Sequence, residues 1–374
     1  MLTLDEARAR LLRILGVETV TGEEISGEVQ RIGLGADQFP VPGLVYIALK
    51  TLLGCSSYGP EEKMAWGIAT RFGLIPFAIH LEKFGLRLYV PRQADPGVVS
   101  AIIRALQKCC SVAESFLTAE VEAQLSSARI TITNQYHRFD DAYQFFRESA
   151  KSAYAGRSPA PVVTKADSGT ATSGQLFRPQ KQGGYLASAM LDSYFSKLEH
   201  QLVLISAFSS LEMENGGLQR FVGDRWDTKF KALFDLQSDH AAKLVYDDLK
   251  RIKEDLRNPA AHGGFLKNGA SFFFHSTAGA LPVLLTRTNT DFEFHISPVP
   301  PSTFEQVCDV LDKTDAFLQK CRLARAFQFV MAGLDVAFDP ESRRAYQEAA
   351  ASDDFEAFID HESNVQDMHA NMDY

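Results

Sequence analysis

Arg257 and His262 flank four residues in the run Arg257-Asn258-Pro259-Ala260-Ala261-His262, and Gly263-Gly264 follow at once. Arginine stays cationic and offers a planar fork of donors suited to phosphate oxygens. Histidine is the side chain best able to trade protons near neutral pH. Together they are equipped to cleave RNA, and the chemistry calls for no metal and no cofactor. The spacing alone is common. An arginine capping the last carbonyls of a helix, with a histidine as a polar plug, is the plain structural reading. What raises the pair above coincidence is the elements around it.

Val245, Leu249, Ile252 and Leu256 step by four, three and four residues, which predicts a helix over 241–256 that ends at Arg257. Asn258 precedes a proline and is biased out of the helical region, whereas Pro259 suits the first position of a new turn. The break matters because residues five apart in an unbroken helix lie about 140° apart around the axis and do not converge. Lys250, Arg251 and Lys253 lie within two turns upstream, so a basic, substrate-binding approach is expected. Leu191, Phe195, Leu198, Leu202 and Ile205 predict a long helix over 185–208, with a seam for another helix or a second copy of the chain.

These two helices resemble the HEPN superfamily. The likeness rests on Tyr194-Phe195-Ser196-Lys197-Leu198-Glu199-His200 on the first helix and on the arginine–polar–histidine motif after the second. It covers about 185–321. It implies a helical bundle that dimerises so that two motifs share a cleft, and a metal-independent endoribonuclease of toxin or anti-phage defence systems. In that reading His262 moves protons at the 2′-hydroxyl or the departing 5′-oxygen, and Arg257 stabilises charge on the phosphoryl oxygens. Asn258 orients Arg257 or binds a phosphate oxygen, and the product is a 2′,3′-cyclic phosphate. Glu199, on the facing helix, would hold Arg257 or His262. The implied partners are RNA, a second copy of the chain and a neutralising or regulatory protein. The alternative is a catalytically silent HEPN module that dimerises or binds a nucleotide or partner.

The rest of the chain reads as follows. Residues 1–130 form a separate α+β unit, with helices over 4–15 and 43–53, a third helix candidate over 61–70, and a hairpin of 77–81 with 86–90. Helices followed by a hairpin allow a winged helix, hence a transcriptional regulator. His80 fills a strand face. A helix with Phe139, Ala142, Tyr143 and Phe146 on its core side lies in 131–184, followed from Gly156 by a flexible linker rich in Ser, Pro and Gly. The helical domain spans 185–338 and carries a short strand insertion over 271–296, after which Thr303 caps the next helix. The expected class is mainly α with a smaller β component.

Net charge is −9, which argues against a nucleic-acid partner until its distribution is seen. From Asp339 onward ten acidic residues face only Arg343 and Arg344, so the segment 339–374 holds nearly all of the excess. It reads as a solvated acidic tail, or as an electrostatic lid or a partner-binding arm. The five cysteines show no CxxC spacing and read as reduced thiols. No signal-peptide pattern opens the chain and no apolar run is long enough to cross a bilayer, so a cytoplasmic protein away from membranes is expected.

Overall fold

The first helix, α1 (Leu4–Leu15), begins where Thr3 accepts from the Glu6 amide and Glu6 reaches back to the Thr3 amide. It ends at Gly16, whose φ of 66° is cheap only for glycine. Ala7, Leu11 and Leu15 form its buried stripe. The computed structural model describes residues 2–17, 27–157, 178–257, 270–277, 279–285, 290–291 and 299–371. The chain is mainly α with a smaller β component, and among the described residues no helix is long and apolar enough to cross a membrane. Two units divide it: described residues up to Ser126 together with those from Asp360 onward, and Ser127–Ile359.

In the first unit an antiparallel five-stranded sheet runs in the order β1-β5-β4-β3-β2. Its strands are β1 (Val29–Gly33), β2 (Ser57–Tyr58), β3 (Met64–Phe72), β4 (Ile75–Glu82) and β5 (Gly85–Pro91). α2 (Gly43–Tyr46) continues into a π turn over Ile47–Leu52, and α3 (Pro96–Ser126) follows the sheet. Ile68, Phe77, Ile79, Leu86, Leu88 and Val90 point to one side and share a core with Leu11, Leu49, Ile102 and Leu106. The expected hairpin is there, with Lys83-Phe84 as its two-residue turn. The helix candidate over 61–70 is instead β3. Trp66, Ile68 and Phe72 alternate toward the core, and the period of two outweighs the weak helical spacing. With that helix gone, the winged-helix reading loses its third helix.

The second unit is helical. α4 (Tyr136–Tyr154) packs along α5 (Arg178–Ile205). The seam Leu191, Phe195, Leu198, Leu202 and Ile205 is buried within this chain, in one core with Tyr143 of α4. It is therefore spent on intramolecular packing and is not left for a second copy. α5 begins seven residues before the expected start, taking in 178–184 of the supposed linker; 158–177 lie outside the described residues. Within the added turn, a Cβ at Gly183 would overlap the Tyr154 ring, so glycine lets α4 and α5 close together. After α6 (Gly217–Gly223) and α7 (Trp226–Leu233) come α8 (His240–Ile252), capped by Asp239, and a π turn over Lys253–Arg257.

The expected insertion forms a small antiparallel sheet of β7 (Ala270–Ser276), β8 (Gly279–Leu285) and β9 (Thr290–Asp291). β6 (Thr131–Ile132), just before α4, pairs with β10 (Val336–Ala337). α9 (Pro301–Leu318) starts at Pro301 rather than at a Thr303 cap, because proline already supplies a helical φ at the first position. α10 (Ala324–Met331) follows.

The segment from Asp339 is not a loose tail. It forms α11 (Pro340–Ala351), capped by Asp339, and α12 (Phe355–Asn371). Tyr346 and Phe355 are buried in the core of the helical unit, and Arg343 donates to the carbonyls of Ser209 and Leu211. Aromatic burial overrides the acidic composition: each buried ring contributes about 2–3 kcal/mol, against tenths for a surface charge.

Candidate active site

Arg257 is the last described residue before 258–269, so Asn258 and His262 lie outside the described residues and the arginine half of the pair is the half with geometry. The helix that carries Arg257 does not remain α to its end. At Lys253 it widens to the i→i+5 bonding of a π turn. Such turns are rare and recur at functional sites because they re-aim side chains relative to the preceding helix.

Re-aimed in this way, the turn meets α5 in an antiparallel ladder. Arg257 Nε donates to Asp192 Oδ1 at 2.8 Å, and Lys253 Nζ lies 3.8 Å from Glu199 Oε1. Asp192 and Glu199 are seven residues apart and so share one face of α5. The expectation that Glu199 holds Arg257 is therefore corrected: Asp192 holds it, two turns earlier, and Glu199 is taken by Lys253. The Arg257 side chain is 33% exposed and that of Asp192 55%. An ion pair this open is worth only about 0.2–1 kcal/mol. That is enough to orient a guanidinium and too little to keep it from a phosphate.

Lys253 was expected to bind substrate, but its side chain is only 17% exposed. Its ammonium lies 4.9 Å from the Phe195 ring centre and 5.5 Å from that of Trp226. Burial pushes its pKa down, partly offset by the Glu199 carboxylate. Lys229 of α7, which carries no sequence signal, is buried nearby; burial lowers its pKa too, and Glu199 and Asp224 raise it. Glu199 thus faces two half-desolvated lysines. Its chemistry is that of a structural counter-ion, since an unpaired buried charge costs several kcal/mol.

Lys250 and Arg251 do stand in solvent, but each is accompanied. Lys250 Nζ lies 3.9 Å from Glu254 Oε1, and Arg251 Nη2 lies 3.1 Å from Asp248 Oδ1. Across 240–257 five basic residues meet four acidic ones, so the expected basic approach is close to neutral. Asp247, Asp248, Glu254 and Asp255 cancel what a reading of the cations alone suggested. Arg251, Ile252, Asp255, Leu256, Thr303, Gln306, Val307 and Val310 line a cavity of about 270 Å³. Burial raises the Asp255 pKa there.

Other polar residues of α5 are structural. His200 Nε2 accepts the Gln135 amide at 2.9 Å just before α4, against Phe139, and burial lowers its pKa. Lys197, almost fully buried, reaches Asp140 at 3.1 Å and Asp315 at 2.9 Å between the Tyr143 and Tyr194 rings. It ties α4, α5 and α9 together. The five cysteines are free, and burial pushes Cys109 up to about 12, in keeping with inert core thiols.

Comparison of the chain with protein-family models, with curated proteins and with solved structures finds no match.

Proposed function

We propose that the protein is a metal-independent endoribonuclease of the HEPN type, with Arg257 and His262 as its working pair. The observation that supports this most is the Asp192–Arg257 pair at 2.8 Å. Asp192 takes the Nε edge, and among the described residues neither terminal nitrogen has a hydrogen-bond partner, so both could donate to a phosphate. Arg257 would stabilise charge on the phosphoryl oxygens as the 2′-hydroxyl attacks. His262 would take the hydroxyl proton or protonate the leaving 5′-oxygen, and Asn258 would steady the arginine or the phosphate. The product is a 2′,3′-cyclic phosphate. Action in toxin or anti-phage defence, pairing of two copies across a shared cleft and control by a neutralising protein belong to the same proposal.

The near-neutral surface over 240–257 favours a second reading, a silent HEPN module that binds a nucleotide or a partner. One experiment separates the two: incubate the wild type and His262→Ala with total RNA in EDTA. The nuclease reading expects fragments ending in cyclic phosphate from the wild type alone. Cleavage that survives His262→Ala removes the catalytic assignment, and intact RNA in both leaves the silent module.

A further inference from the structure

The sheet of the first unit has a second face, made of polar and ring-bearing side chains. Strand register sets Arg31 beside Tyr89, Arg87 beside His80, His80 beside Gly67, and Gly67 beside Tyr58. These residues alternate with the core side chains, so they share the opposite face. Gly67 has a specific role. A Cβ there would overlap the Tyr58 ring, so the ring lies flat on the backbone of β3, and Tyr58 remains 41% exposed.

The other rings are fixed around it. The Tyr58 hydroxyl and His80 Nε2 share a hydrogen bond at 2.5 Å, and the two rings stand nearly perpendicular. On its other side His80 packs against Tyr89 at 4.4 Å between ring centres. The Tyr89 hydroxyl donates to Glu82 Oε1 at 2.5 Å, and Arg31 Nε donates to that hydroxyl at 3.2 Å while its guanidinium pairs with Glu82. Burial raises both tyrosine pKa values and lowers that of His80, so all three rings are uncharged at neutral pH. Arg87 is aimed differently. It donates to the Phe84 and Leu86 carbonyls, and among the described residues no carboxylate pairs with it. Its guanidinium is therefore oriented by backbone carbonyls, and its charge also acts on Glu82. Arg31 and Arg87 share this face with Glu82.

We propose that this face binds single-stranded RNA, with bases stacked on Tyr58, His80 and Tyr89 and phosphates beside Arg87 and Arg31. Three inter-strand steps separate β5 from β2, about 14 Å, which is room for the two or three bases that aromatic side chains on a small sheet hold. Rings beside an arginine held by backbone carbonyls suit a base and its phosphate, and stacking requires unpaired bases. Choosing RNA rather than DNA rests on the ribonuclease reading; the platform itself does not.

The test uses the full chain carrying His262→Ala and a fluorescein-labelled 12-nucleotide oligouridine, followed by fluorescence anisotropy. Replacing both Tyr58 and Tyr89 by alanine should weaken binding at least about tenfold, since stacking is worth about 1–3 kcal/mol per base. Tyr58→Phe keeps the ring and should bind within about twofold of the parent. Arg87→Gln should weaken binding and make the log–log salt slope shallower by about 0.7, one phosphate contact on a single strand. It also decides the matter if the double alanine variant does not fold. Ultraviolet cross-links should map to 57–91. The proposal fails if the oligouridine does not bind, if a 12-base-pair duplex binds as tightly, if Arg87→Gln and the folded alanine variants bind like the parent, or if cross-links fall elsewhere. Variant-sensitive binding in a chain that leaves total RNA intact would overturn the ribonuclease reading and keep the platform. Cleavage with variant-insensitive binding would do the reverse.

Discussion

At the scale of single residues, two carboxylates on one face of α5 do different work. Asp192 orients Arg257 through a single exposed hydrogen bond, so its loss touches geometry more than stability. Asp192→Asn should lower RNA cleavage about tenfold or more with a thermal midpoint close to the parent's, and cleavage rates beside melting curves check both halves. Glu199→Gln should show the opposite pattern, because it removes the carboxylate paired with Lys253 and leaves Lys229 with Asp224 alone: a clear drop in midpoint, with cleavage changed less than for Asp192→Asn. Arg257→Ala or His262→Ala should cost about 10²–10⁴-fold in cleavage with the fold intact by circular dichroism. Arg147 and Asp312 give a pH test. Their hydrogen-bonded ion pair holds the Asp312 pKa below its ordinary 3.8. A depressed carboxylate contributes stability above its unfolded pKa and loses it as pH falls through the folded value. The gap in thermal midpoint between wild type and Asp312→Asn should thus be constant near neutrality and shrink below about pH 4.

At the scale of elements, the hydrophobic periodicities were legible wherever one face is buried. The stripes of α5, α8 and α9 and the strands β4 and β5 could be read directly, because burial imposes the periods of 3.6 and 2. β3 was misread because Gly67 and the small residues beside it blur the alternation, and only pairing with β4 decides it. The segment from Asp339 was misread for the converse reason: charge dominates its composition, while two aromatic residues decide its fate. A chain ended after Phe338 should not be activated, as removal of a lid would require. It should lose soluble yield and cooperative melting, since Tyr346, Phe355 and the Arg343 contacts leave the core together. Gradient melting of the shortened chain is the check, and a folded, more active product would restore the lid.

At the scale of the whole molecule, electrostatics set modest expectations for RNA. The helix bearing Arg257 is nearly neutral on its surface, and the acidic excess sits in folded helices. Binding of single-stranded RNA to the His262→Ala chain should therefore depend weakly on salt. A log–log slope of about −2, three phosphate contacts, is expected, and a slope several times steeper would reveal a basic groove that 240–257 does not supply. Residue type and spacing alone reveal the helix leading to Arg257, the mainly helical class and the aromatic stripe of α4, and they nominate the Arg257/His262 pair. Each is a local pattern, written in residue type and spacing. Packing between distant segments settles that Asp192 rather than Glu199 meets Arg257, that Lys253 turns inward onto Phe195 and Trp226, and that Tyr58 lies across Gly67 beside His80. Those are matters of register between segments far apart in the chain. Register is fixed by how buried faces interlock, and a one-dimensional pattern leaves that open.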